Sequence, residues 1–263
     1  MPSYPTIAES WGALGWFVLM SLALGALVLS ATAIFHLKGL PKLVLMLGTG
    51  VATNALLVLW LRRRAGAGRW LGLRWRLPRR PWVAFGLLLP MVPALALVLS
   101  VQGFLQLPRW SSGKWLTELA AHPVLAVALG CVAGPVLEEV LMRGVLLRGL
   151  LRNYRPAVAI SQSALLFGIF HFNPAQSLNA FLLGLLLGWI YYRSRSLWLC
   201  IGLHGLYNAL AFAGNQSSKL AGAKHLPAFM HSPTYALAWL AAALVLVASA
   251  LALARSQAVP TTT

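Results

Sequence analysis

The chain has 263 residues, of which 59% are apolar and 10% charged, against about 45–50% apolar and about 25% charged in ordinary soluble domains, so a water-soluble globule is excluded. Its 21 basic side chains face four acidic ones, all glutamates (Glu9, Glu118, Glu138 and Glu139), for a formal charge of +17. The bases cluster between long apolar runs rather than on a polar domain, so they imply the anionic surface of a lipid bilayer as partner and not nucleic acid.

A membrane helix needs about 20 apolar residues to cross a hydrocarbon core of about 30 Å. Eight stretches read as spans, in chain order 11–35, 43–61, 82–101, 124–147, 157–172, 178–192, 197–213 and 234–253. No Lys or Arg precedes Lys38, so the first run lacks the basic flank of a cleavable signal peptide and reads as a retained span. Pro90 and Pro93 interrupt the third span and predict a kink there. The fifth to seventh spans are short and closely spaced, as in tight hairpins packed inside a bundle. Gly184 and Gly188 in the sixth have the small-residue spacing of a helix contact, within the bundle or between copies. Cys131 and Cys200 both lie in apolar segments and supply neither a disulfide framework nor a CxxC motif.

Alternate threading places fourteen bases on one side, in the arginine-rich loop 62–81, at 148–155, at 193–195 and at Arg255. The other side receives six, namely Lys38, Lys42, Arg109, Lys114, Lys219 and Lys224. The positive-inside rule makes the arginine-rich side cytoplasmic, with both termini inside. Trp60, Trp70, Trp75, Trp82, Trp110, Trp115 and Trp198 fall near the proposed boundaries, as interfacial anchors do. Residues 1–263 thus read as a single all-α, multi-pass membrane domain. Arginine in preference to lysine, with abundant Ala, Leu and Gly, points to a GC-rich bacterial genome and hence to an inner membrane.

Ionisable groups inside spans are costly and mark pairing or function. The fourth span sets Glu138 and Glu139 side by side, followed by Arg143. Glu139 and Arg143 are four apart, so they share a helix face and can pair. Glu138 is rotated by about 100° from its neighbour and has no partner in its own helix. A carboxylate so placed is the kind of group that can take and return a proton, although two glutamates can also serve as interhelical glue. The fifth span carries Phe167 and His171, and the seventh carries His204 and Asn208, again one turn apart. Counted from the nearest arginine of each span, Glu138, His171, His204 and Asn208 lie about 15, 24, 13 and 20 Å deep, within one middle band. His36, His122, His225 and His231 fall in loops or at span ends and receive no role.

The middle band has no serine or cysteine beside a base, so water is the remaining nucleophile. Glu138 with His171 can hold and deprotonate a water, while His204 and Asn208 donate hydrogen bonds to the oxyanion formed when that water attacks a carbonyl. That chemistry is amide hydrolysis in a membrane cavity, with no cofactor. Two glutamates and two histidines can also ligate a divalent ion such as zinc, but no HExxH motif is present, and an oxyanion role for His204 and Asn208 leaves few ligands. Buried Glu and His relays also serve proton-coupled transport, though the paired, interrupted inverted segments of such transporters are not evident.

The set Glu138-Glu139-x-x-x-Arg143, Phe167-x-x-x-His171 and His204-x-x-x-Asn208, in this order over successive spans within 124–213, resembles the intramembrane glutamic endopeptidases of the CAAX protease and bacteriocin-processing family. The resemblance implies an eight-helix bundle with a conical cavity open to cytoplasm and lipid. It implies Glu138 as the catalytic glutamate with His171 as its partner on the water, and His204 and Asn208 as oxyanion stabilisers. Glu139 and Arg143 would then support the helix geometry. The substrate it implies is a membrane-associated protein or peptide; some relatives are regarded as non-catalytic, peptide-binding immunity proteins.

Overall fold

The computed structural model describes residues 4–65, 75–108, 121–220 and 230–257. Glu118, Arg69, Arg74, Arg109, Lys114, Lys224, His225, Trp70, Trp110 and Trp115 lie outside them, as does much of the arginine-rich loop. Eight long helices follow one another among the described residues: α1 (Ile7–Ile34), α2 (Gly39–Ala65), α3 (Pro81–Leu99, extended by a 3-10 turn, Ser100–Leu105), α4 (Pro123–Asn153), α5 (Pro156–Ile169), α6 (Pro174–Ser194), α7 (Leu197–Leu220) and α8 (Pro233–Gln257). Pro81, Pro123, Pro156, Pro174 and Pro233 each stand first in their helix, where the missing N–H costs nothing and the fixed φ starts the turn. The first helix instead opens on a capping box, in which Thr6 accepts from the Glu9 N–H and Glu9 accepts from the Thr6 N–H.

Seven of these helices are long and apolar enough to cross a membrane. The exception is α5, whose 14 residues rise only about 21 Å. The expected fifth span, 157–172, therefore ends three residues early. His171 N–H bonds back to Gly168 O and Phe172 turns left-handed at φ 46°, so the chain leaves the helix before Pro174 opens the next one. In contrast α6 and α7 run longer than expected, as full crossings, and α3 continues as helix through Pro90 and Pro93.

The alternate threading is visible in contacts between helix ends. At one end Ile7 N–H donates to the Tyr154 hydroxyl, Gln257 Oε1 accepts from the Arg79 N–H at 2.8 Å, and Trp75 packs on Trp198 with ring centroids 5.2 Å apart. These contacts bring the starts of α1, α3, α5 and α7 together with the ends of α4 and α8, the arginine-bearing termini. At the other end the Ser100 and Tyr235 hydroxyls lie 2.9 Å apart, and Ala175 N–H donates to Pro108 O. Gly184 and Gly188 resolve as contacts within the bundle. Cβ atoms there would lie 3.1 Å from Ala164 Cα and 3.0 Å from Ile160 Cγ2, so α6 seats directly on α5.

Candidate active site

The acids sit in an irregular stretch of α4. Residues Val127–Ala133 and Val140–Leu147 are wound as π-helix, with Gly134–Glu139 as α-helix between them; such wide turns recur at functional sites. Gly134 N–H reaches the Leu129 carbonyl, five residues back. In that register the next N–H would belong to residue 135, but Pro135 has none, so the Gly130 carbonyl loses its helical donor. The Nδ2 of Asn208, on α7, supplies one at 2.9 Å. The helices can approach so closely because Gly205 faces α4, where a Cβ would lie 2.5 Å from the Cys131 carbonyl oxygen.

Glu139 is fully buried and Oε1 is its working atom. That oxygen accepts from Arg143 Nη1 at 2.8 Å and lies 2.9 Å from His204 Nδ1. The expected pairing of Glu139 with Arg143 is present, and the bond from Glu139 to His204 joins α4 to α7. Arg143, also fully buried, spends Nη2 on the Gly184 carbonyl of α6 at 3.1 Å and lays its guanidinium 4.8 Å above the Phe167 ring. Glu139 Oε2 and Arg143 Nε are buried without a hydrogen-bond partner.

Glu138 points elsewhere. Its side chain keeps 27% exposure, and Oε2 lies 3.8 Å from His204 Nε2, the imidazole nitrogen that Glu139 does not engage. His171, in the turn after α5, holds Nδ1 2.8 Å from the Phe167 carbonyl. A carbonyl only accepts, so the proton sits on Nδ1 and leaves Nε2 to deal with whatever lies before it. Both imidazoles stand edge-on to Phe167, with centroids 5.1 Å from it for His171 and 5.6 Å for His204. Phe167 is therefore the common wall of the two rings and the bed for the Arg143 cation at once.

Three features were not read from sequence. The Gly130 carbonyl had a signal in Pro135. The Gly184 carbonyl had none. The pair Asn179 and Tyr207, which bridges α6 and α7 with Nδ2 to hydroxyl at 2.8 Å and hydroxyl to Oδ1 at 3.1 Å, had one: a carboxamide inside an apolar span. As for metals, no group of three or more His, Cys, Asp or Glu side chains is disposed to hold an ion among the described residues, and Glu139 Oε1 is already taken by two partners.

No curated protein and no solved structure matches the chain. Residues 120–210, about a third of the chain, match the family model of the Rce1-like type II CAAX prenyl endopeptidases. The matched stretch holds every side chain of the site described above, so the similarity to that family falls on the glutamate, histidine and asparagine motifs.

Proposed function

We propose that this protein is a glutamic-type intramembrane endopeptidase that hydrolyses a peptide bond near the end of a membrane-associated protein or peptide. The observation that carries the reading is the division of labour between adjacent acids: Glu139 is committed to Arg143 and His204, while Glu138, part-exposed and not engaged by Arg143, stands 3.8 Å from the nitrogen of His204 that Glu139 leaves open. In this reading Glu138 takes a proton from a water held with His171, and the hydroxide attacks the substrate carbonyl. His204 and Asn208 donate to the oxyanion, and on its collapse Glu138 returns the proton to the leaving amine. Glu139 Oε1 takes up the Nδ1–H of His204, so donation from Nε2 as well requires the imidazolium form. In that form Nε2 carries the proton that a donor to the oxyanion requires.

The reaction so described uses water and this chain's own side chains, without a metal. The support is the donor set, in which Glu139 Oε1 is taken twice over and Asn208 is anchored on a backbone carbonyl. The arginine-rich end is cytoplasmic by the positive-inside rule, and the protein a multi-pass resident of a bacterial inner membrane. The test is cleavage of membrane-anchored peptides by the purified protein in lipid vesicles. Glu138→Gln and His171→Ala are expected to abolish cleavage while the protein stays helical and monodisperse in detergent, and a chelator is expected to leave the wild type active. Full activity in either variant would refute the proposal.

A further inference from the structure

The outer face of α5 is the floor of a groove of about 520 Å³, lined by Ala157, Val158, Ser161, Gln162 and Leu165, with Phe181 of α6 at its wall. The opposite face of α5 belongs to the site already described: Ser163 donates to the Met142 carbonyl, and Phe167 carries the Arg143 cation. The groove is therefore separate from the acids. Gln162 ties its floor to α1 by donating from Nε2 to the Ser10 hydroxyl at 3.2 Å. The Ser161 hydroxyl is exposed and makes no hydrogen bond among the described residues, although it lies within an apolar helix.

The length of the groove decides between a lipid and a partner helix. From Ala157 to Leu165 the helix rises about 12 Å, less than half of a hydrocarbon core of about 30 Å. A transmembrane helix would need a seat along the whole core, whereas the acyl chain of one leaflet needs no more than its own half. The leaflet is the one at the arginine-bearing end, where α5 starts.

The register of α5 against α6 sets what stands at the mouth. Ile160 faces Gly188 and Ala164 faces Gly184, so four residues forward on α5 match four residues back on α6. Arg155, the cap of α5, therefore comes level with Arg193, and Arg195, the cap of α6, follows just beyond. Phe181, Gly188 and Tyr192 fall on one stripe of α6 by helical spacing, and the Arg195 guanidinium lies over the Tyr192 ring, 5.5 Å from its centroid. Both arginines are exposed, and neither meets a carboxylate among the described residues. Guanidinium groups pair with phosphate oxygens through paired, charge-assisted hydrogen bonds, and basic residues at a membrane surface favour anionic lipids.

We infer that this groove binds one anionic glycerophospholipid from the leaflet at the arginine-bearing end. The phosphate sits between Arg155 and Arg195, and an acyl chain runs along Val158 and Leu165 to Phe181. The Ser161 hydroxyl, about 9 Å along α5 from Arg155, donates to an ester carbonyl.

The purified chain, stripped of lipid in detergent micelles and titrated with phosphatidylglycerol or with phosphatidylcholine of the same acyl chains, tests the site by native mass spectrometry. Phosphatidylglycerol is expected to bind at least about tenfold more tightly. Arg155→Gln with Arg195→Gln should erase that preference. Ser161→Phe, which fills the groove from an exposed position, should abolish binding of the lipid with the arginines intact; Val158→Phe takes its place should Ser161→Phe fail to fold. Arg63→Gln with Arg80→Gln removes the same charge from the same end at positions that do not line the groove, and should leave binding unchanged. An equal loss in that pair would reduce the effect to diffuse attraction and overturn the inference. So would undiminished binding in the groove-filled variant, or displacement of the lipid by inorganic phosphate at equal concentration, which would make the mouth a site for free anions.

Discussion

Oε1 of Glu139 lies 2.9 Å from Nδ1 of His204, on a different helix, and the same oxygen accepts a hydrogen bond from Arg143 Nη1 at 2.8 Å. A single carboxylate atom thereby ties α4 to α7 and neutralises a cation with no exposed surface. Removing the acid alone strands that cation. Glu139→Ala should therefore cost about 3–5 kcal/mol, the penalty for breaking a buried pair from one side. Replacing both partners, as in Glu139→Gln with Arg143→Met, removes the stranded charge along with the unpartnered Arg143 Nε, while the glutamine oxygen can still accept from His204. The double variant should recover most of the loss. Denaturant unfolding in detergent micelles measures both, and a double variant no more stable than Glu139→Ala would contradict this account of the pair.

Pro135 and Asn208 are linked through the Gly130 carbonyl, which the proline leaves without a helical donor and the asparagine amide takes up. Pro135→Ala restores an N–H that competes for that carbonyl and releases the Asn208 side chain. One positioning hydrogen bond of about 1 kcal/mol corresponds to roughly fivefold in rate, so cleavage should slow by about that factor. Stability should barely change, since one donor replaces another. Paired measurements of kcat and of the unfolding midpoint decide it; a large loss of stability with unchanged kcat would show that the proline serves the helix and not the asparagine.

Much of the bundle was legible because the physics of spanning a bilayer is one-dimensional: apolar run length, and arginines gathered at one end of the runs. The end of α5 was not, because Phe170 and Phe172 extend the apolar run although the helix has already ended at Ile169. Composition cannot see a left-handed residue. The adjacency of Glu139 and Arg143 followed from helical spacing, and the separation of Glu138 from that pair followed from the turn between neighbouring residues. The commitment of Glu139 to His204 was hidden because it depends on how closely α7 approaches α4. That approach is set by the π-wound turns and by Gly205, a residue whose only signal is the absence of a side chain.

Gly205 therefore makes a sharper test of the α4–α7 contact than any polar residue. A Cβ there meets the Cys131 carbonyl oxygen at 2.5 Å, a backbone atom that cannot swing aside, whereas a Cβ at Gly202 meets Leu88 Cδ1 at 3.3 Å, the end of a flexible side chain. Gly205→Ala should cost about 1–3 kcal/mol by overpacking and should depress cleavage further, because His204 and Asn208 ride on the displaced helix. Gly202→Ala should leave both nearly unchanged. Thermal unfolding and cleavage rates of the two variants in the same vesicles provide the comparison, and equal behaviour would mean that α7 is free to slide on α4.

The reciprocal bonds between Asn179 and Tyr207 hold α6 against α7 one residue from Asn208. Hydrogen bonds between membrane helices average about 0.6 kcal/mol and reach about 1.7 kcal/mol, because the separated helices find other partners in the bilayer. Tyr207→Phe removes the hydroxyl and leaves the Asn179 carboxamide in an apolar span with nothing to bond, so its cost should lie at the upper end of that range. Asn179→Leu in the same background should return part of it. The coupling in a double-mutant cycle, read from unfolding in micelles, should then be favourable and about 1 kcal/mol. A coupling near zero would mean that the two side chains meet without holding the helices together. The register of α7 would then rest on Gly205 and on the bond from Glu139 to His204.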